Sequence, residues 1–218
     1  MREPDWTILD DALAYPQQCL GDLSAYHHLP VSLEGVGFIG RLFDPPMFAA
    51  STATPAVTPG DILAVSMLSQ VIPPRAAACL VQSPPPELVD ALQAIPPEAE
   101  LGKVDDPASE WLRMAAAAQA AVAGMAGMTR STTSAVLARK WPGLVPIEDD
   151  VTMAAFGEPD TLWEPLRQRL RGGLHDQVED LLIQTMLVGR VSVLRAIGTI
   201  LWMRQRDPAD GAVPPGFL

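Results

Sequence analysis

At 218 residues and 48% hydrophobic content, the chain has ample apolar material for a buried core, as one large domain or two small ones. Its formal charge of -11 opposes tight non-specific binding to nucleic acid, because phosphate contacts must come from Lys and Arg. Two cysteines, Cys19 and Cys79, lie far apart without paired spacing, which excludes a four-cysteine zinc or iron–sulfur site. Both are expected to be ordinary buried or semi-buried thiols, and neither a cofactor nor a metal site is expected.

The charge is unevenly spread. Residues 1–128 carry 5 basic and 15 acidic side chains, and residues 129–218 carry 10 basic and 11 acidic, so a local basic face in the second half remains open. The opening M-R-E-P-D-W has no apolar run followed by small residues, so no secretory signal is expected. The uncharged run Met114 to Thr129, which no other exceeds in length, is too short and too rich in Ala and Gly to span a bilayer. A cytoplasmic protein without membrane contact is the expectation.

In chain order, residues 5–28 read as one or two helical pieces interrupted at Pro16, with Trp6, Ile8, Leu9, Leu13 and Leu20 as apolar anchors. His27 and His28 are adjacent, point about 100° apart in a helix, and are not placed to chelate one metal. The glycines and prolines of 30–57 predict an irregular segment, with at most a short extended piece or hairpin between Val36 and Asp44. Thr58-Pro59-Gly60-Asp61 is a helix start with the makings of a capping box, and the apolar run Ile62–Leu68 predicts a central helix ended by Pro73-Pro74. Short helices follow at 74–82 and 86–94, each opened by proline. A longer helix opened by Asp106 as cap runs through Trp111, Leu112, Ala115 and Val122.

Beyond it come a Gly-centred break at Ala126–Thr129, a helix at 130–140, and a helix start at the acidic trio Glu148-Asp149-Asp150. A helix after Asp160 carries Arg167, Arg169 and Arg171 on a solvated face; Gly172-Gly173 breaks the chain before helices at 174–188 and 193–205, the last capped by Ser192. Ile62, Val65, Leu68, Leu137, Leu194, Ile197 and Leu201 are the predicted core, and Trp141 and Trp202 read as core rather than base-stacking platforms. The expected organisation is an N-terminal helical and irregular segment (1–57) packed on a helical core (58–206), with an irregular tail (207–218). No stretch alternates with period two, so the fold class is all-α.

The run Ser131-Thr132-Thr133-Ser134-Ala135-Val136-Leu137-Ala138-Arg139-Lys140-Trp141-Pro142-Gly143-Leu144-Val145-Pro146-Ile147-Glu148-Asp149-Asp150-Val151 resembles V-T-A-x-K-L-L-A-R-K-R-P-x-L-x-P-V-Y-D-S-V-V, shared by a bacterial family of uncharacterised proteins. Pro59–Ser69, Ser192–Arg195 and Leu201–Met203 look like that family too. The same region more distantly resembles the hairpin L-P-G-[VI]-G-x-x-T-A of the helix-hairpin-helix DNA glycosylases, laid on Met125-Ala126-Gly127-Met128-Thr129-Arg130-Ser131-Thr132-Thr133. Their catalytic Asp follows the hairpin Thr by seventeen positions in several members, and seventeen past Thr132 is Asp149.

The resemblance implies a multi-helix array of two lobes facing across a cleft. It also implies DNA held by Gly127, Thr129, Arg130, Thr132, Arg139 and Lys140, with Asp149 as a carboxylate that stabilises charge on the sugar or activates water while a base is flipped out. The departures bear on chemistry. The hairpin Pro is Ala126 and its second Gly is Thr129. The lyase Lys is Ser131, so Schiff-base chemistry is not expected. The residues alone supply plainer readings: Asp149 or Asp150 as an N-cap, and Arg139 and Lys140 as cations at a helix C-terminus. The two functional expectations are therefore a DNA-interacting protein with a monofunctional base-excision-type site, and a non-catalytic helical protein acting through protein or small-molecule contacts.

Overall fold

Prolines and caps set the helix boundaries. The computed structural model describes residues 2–28, 38–44 and 54–205, and among them the regular structure is helical throughout. Helix α1 (Thr7–Leu13) hands over to α2 (Pro16–His28), with Pro16 at a first-turn position where its missing N–H costs nothing. The capping box at Thr58 is formed, and it opens α3 (Pro59–Ser66). Helices α4 (Pro74–Gln82) and α5 (Pro86–Ala94) each start on proline. Next come α6 (Glu110–Ala123), α7 (Arg130–Lys140), α8 (Asp150–Ala155), α9 (Trp163–Arg169), α10 (His175–Gln184) and α11 (Val193–Gln205).

The helices sort by contact into two groups. Helices α1, α2, α8 and α10 gather on α11, whose Leu194, Ile197, Ile200 and Leu201 are all buried; α5 packs along α6, and α3 and α6 pack on α7. Five of the seven predicted core residues are buried, while Ile62 and Leu68 are partly buried against the core.

Several sequence expectations need correction. Residues 39–43 form a 3-10 turn rather than an extended piece, because Gly40 tucks under Tyr26 and turns its carbonyl inward to Arg195. A Cβ at Gly40 would lie 2.2 Å from the Tyr26 hydroxyl, so this close approach needs glycine. The expected irregular stretches at 30–37 and 45–53 and the tail lie outside the described residues. Helix α6 is capped by Ser109, whose Oγ accepts the Leu112 N–H at 3.3 Å; Asp106 instead forms a local turn with Ala108. The break expected at Gly172-Gly173 is present: Gly173 takes a non-helical φ of 108 within Leu170–Leu174 and kinks the chain between α9 and α10. Helix α10 stops at Gln184, where the Thr185 hydroxyl donates back to Leu181 O at 2.8 Å.

Of the arginines after Asp160, Arg167 departs from the expected solvated face, while Arg169 and Arg171 stay partly in solvent. Arg167 is buried and donates to the Val104 carbonyl and to Glu164. Arg169 pairs with Asp10 over the Trp6 ring, and Arg171 pairs with Asp105. The apolar α3 is not the central helix either, since Leu63 is exposed. That place belongs to α7, buried from Ser131 through Lys140 although it has no apolar stripe. Ser131, Ser134, Ala135 and Ala138 keep its girth small, and Ser134 Oγ donates to Ser131 O and accepts the Glu148 N–H at 2.9 Å, while the Ser131 and Thr133 hydroxyls are buried without a hydrogen-bond partner among the described residues.

Candidate functional site

Helix α7 ends in a pair of cations, and both turn inward. Lys140 Nζ donates to Asp61 Oδ2 at 3.2 Å, and Arg139 Nε lies 3.4 Å from Asp61 Oδ1. Asp61 is also the third helical residue of α3, and the same Oδ2 accepts from the Thr58 N–H (2.9 Å) and hydroxyl (3.0 Å). The carboxylate that closes one helix start is therefore the counter-ion for another helix end. Desolvation pulls the pKa of Arg139 and of Lys140 below its ordinary value, and Asp61 pulls each back toward the charged form.

The charged interior continues from Arg139 toward α11. Arg139 donates to the Phe43 carbonyl, and its guanidinium and that of Arg195 lie 5.9 and 5.6 Å from the Phe43 ring centroid. Arg195 Nε reaches both Asp44 oxygens at 3.1 and 3.2 Å, and Nη2 donates to the Tyr26 hydroxyl (2.8 Å) and Gly40 O (3.1 Å). Burial raises the pKa of Asp44 and of Tyr26, with Arg195 opposing both shifts.

His27 is buried beside this pair. The Thr199 hydroxyl donates to Arg195 O, so His27 Nε2 donates to Thr199 Oγ1 at 3.3 Å and its Nδ1 faces Asp44 at 3.8 Å. Desolvation, reinforced by Arg195, lowers the His27 pKa to about 3, which keeps the ring neutral. His28 diverges as a helix requires and donates to Thr185 O. Tyr26 stacks on Phe38 and meets Trp202 edge-on, so Trp202 completes an aromatic cluster, while Trp141 is buried with its indole N–H on Ile95 O.

The other end of α7 has a different character. Helix α6 finishes at Ala123, and Gly127 turns the chain at φ 81 with its missing Cβ only 2.9 Å from Pro73, so no other residue fits there without strain. Thr129 and Thr132 then form a reciprocal capping box: Thr132 N–H donates to Thr129 Oγ1 at 3.1 Å, and Thr129 N–H to Thr132 Oγ1 at 2.9 Å. Thr132 is buried and spends both groups on the cap, whereas Gly127, Thr129 and Arg130 are exposed. Arg130 Nε stands 3.7 Å from Glu148 Oε2.

That pair brings the acidic trio to the hairpin. Glu148 points inward toward Arg130, Trp163 and Gln119; burial raises its pKa, and those neighbours partly offset the shift. Asp149 is half-buried and caps α8, its Oδ1 accepting the Thr152 N–H at 2.8 Å. Among the described residues, Asp149 Oδ2 accepts no hydrogen bond. Asp150 faces solvent.

The structure thus places Gly127, Thr129, Arg130, Thr132 and Asp149 around one end of α7, and Arg139 and Lys140 at the other, inside the protein. Residues 20–205 match a protein family described as a family of unknown function, DUF6308. The chain belongs to that family. No curated protein and no solved structure matches it. The span matched by DUF6308 holds both ends of α7 and the whole Tyr26–Asp44–Arg195 network, in keeping with a resemblance to an uncharacterised family. No described helix is long and apolar enough to cross a membrane.

Sequence reasoning passed over Tyr26, Asp44, Asp61, Glu148 and Arg195 as a set. Asp61 was visible as a capping residue, but nothing local announces partners 79 positions away at Lys140 or, for Arg195 and Asp44, 151 positions away.

Proposed function

We propose that this chain is a DNA-interacting protein of helix-hairpin-helix type, with Asp149 as the carboxylate of a monofunctional base-excision-type site. The observation that carries the reading is the approach of Arg130 at the hairpin to Glu148, the residue before Asp149. The hairpin offers an exposed left-handed glycine for close backbone approach, the first-turn N–H groups of α7 that the capping box leaves over, and the half-exposed Arg130 as the cation for a phosphate. Asp149 caps α8 with one oxygen and keeps the other for a developing positive charge on a sugar or for a water. Ser131 at the lyase position makes a Schiff base inaccessible to this site. Arg139 and Lys140 act here by fixing the far end of α7 rather than by touching DNA.

The test is binding of a labelled duplex containing an abasic-site analogue at about 50 and then about 200 mM salt. Two neutralised phosphates cost about tenfold in affinity over that range. Asp149→Asn is expected to keep binding and to lose release of a base from a damaged duplex. Absence of binding at the lower salt retires the reading. A second reading, a non-catalytic helical protein acting through protein or small-molecule contacts, is favoured by the interior position of Arg139 and Lys140 and by the charge of -11, and it is the outcome that such a failure selects.

A further inference from the structure

The start of α10 carries a cluster that the hairpin reading leaves unused. His175 is the first residue after the Leu170–Leu174 kink, and its imidazole is mostly shielded, with its side chain 13% exposed. The ring lies against the 3-10 turn Leu101–Lys103: a Cβ on Gly102 would sit 3.5 Å from the imidazole Cδ2. Glu100, at the head of that turn, places Oε2 2.9 Å from His175 Nε2, while its Oε1 accepts from Lys103 Nζ at 2.7 Å. A glutamate carboxylate facing both Lys103 and His175 is an acceptor, so Nε2 carries the hydrogen of that 2.9 Å contact.

The other ring nitrogen then poses a problem of its own. In the neutral tautomer Nδ1 is a lone pair, yet it faces Asp176 Oδ1 at 3.3 Å and Glu179 Oε2 at 4.0 Å. Three acceptors converge, and the three atoms all lie within 4.8 Å of one another. Either a second proton on the ring or a cation between the three resolves the arrangement. A first-row ion about 2.0–2.2 Å from each donor needs donors roughly 3–4 Å apart, which the two measured separations meet. The His-Asp-x-x-Glu spacing puts residues i and i+4 on one helical face, and the carboxylate behind the histidine fixes its tautomer, as outer partners of metal-bound histidines do.

We propose that His175 Nδ1, Asp176 Oδ1 and Glu179 Oε2 form a binding site for a divalent first-row transition ion such as zinc, with Glu100 as the carboxylate that orients the histidine. Asp176 is largely exposed and Glu179 half-exposed, so water completes the coordination. The nitrogen donor favours zinc, cobalt or nickel over magnesium and calcium, which prefer all-oxygen sets.

The experiment uses the untagged full chain, titrated with Co²⁺ and followed by its visible absorption, then with Zn²⁺ in competition. One equivalent of Co²⁺ is expected to bind, to be displaced by Zn²⁺, and to survive a tenfold excess of Mg²⁺. The Asp176→Asn, Glu179→Gln double variant, whose changes lie on exposed or half-exposed side chains, is expected to lose at least tenfold in affinity with unchanged circular dichroism. Glu100→Gln, which touches no ion, is expected to lose about tenfold. The ¹⁵N resonance of His175 Nδ1 in wild type should move on adding Zn²⁺. An equal affinity in the double variant, or a His175 Nδ1 resonance that stays at its doubly protonated position under saturating Zn²⁺, overturns the site and leaves an imidazolium held by three carboxylates.

Discussion

The two ends of α7 carry three cations between them and treat them in opposite ways. At the C-terminal end Arg139 and Lys140 are almost fully buried and held by Asp61, a carboxylate already committed to capping α3. At the N-terminal end Arg130 keeps about half of its side chain in solvent, beside a hairpin whose capping groups are satisfied within four residues. A cation on a helix is thus not a ligand-binding residue by type. Its role depends on whether the neighbouring chain closes over it, and here one end of the helix is wired into the core while the other is left facing outward.

The largest effect is expected from breaking the inner end. Asp61→Ala removes the buried carboxylate that Arg139 and Lys140 share together with the α3 cap, so it should cost about 3–5 kcal/mol, read as a lowered urea midpoint. Lys140→Met, which leaves Arg139 to share the carboxylate and keeps the volume, should cost clearly less. If Asp61→Ala unfolded at the wild-type midpoint, the inner end would not be the packed charge cluster described.

A second effect probes the same interior through pH. The His27 pKa falls from 6.5 unfolded to about 3 folded, so between those values the unfolded chain binds the extra proton. Stability is then lost as pH falls from about 6.5 toward 3, by an amount on the order of 4 kcal/mol over the window. The raised pKa of Asp44 works in the other direction, since the folded state takes up its proton first as pH falls. His27→Asn should flatten the slope of unfolding free energy against pH in that window, and an unchanged slope would show that His27 is not the group responsible.

How much of this was legible in the sequence depends on distance along the chain. The Thr58–Asp61 box, the proline-opened helices at 74–82 and 86–94 and the Ser192 cap are written in four-residue codes, and the structure has each of them. The burial of α7 was not legible, because a helix reading R-S-T-T-S-A-V-L-A-R-K shows no apolar stripe and becomes central through partners that come from Asp61, Phe43 and Glu148. Arg167 was misjudged for the same reason: a run of alternating arginines looks solvated until the Val104 carbonyl, 63 residues away, is brought over it. Asp106 was read as the cap of α6, but it turns back on Ala108, and Ser109, three residues on, caps the helix.

Smaller effects belong to the outer end. Asp149→Ala should cost about 1 kcal/mol through the lost cap of α8, and Asp149→Asn very little, since Asn caps about as well. Equal destabilisation by the two would mean that the charge of Asp149, rather than its capping oxygen, holds the fold. Arg130→Ala should cost about 1 kcal/mol, more than an exposed pair would, because it removes the cation that faces the buried Glu148.

The contrast between the ends is tested most directly by the salt dependence of binding to duplex carrying an abasic-site analogue, measured in parallel on wild type, Arg130→Ala and Lys140→Met. Arg130→Ala is expected to bind more weakly and to flatten the plot of log affinity against log salt by about one unit, while Lys140→Met, once shown to be folded, keeps the wild-type slope. An unchanged slope for Arg130→Ala, or a slope lost in folded Lys140→Met, would contradict the assignment of the outer end to function and the inner end to structure.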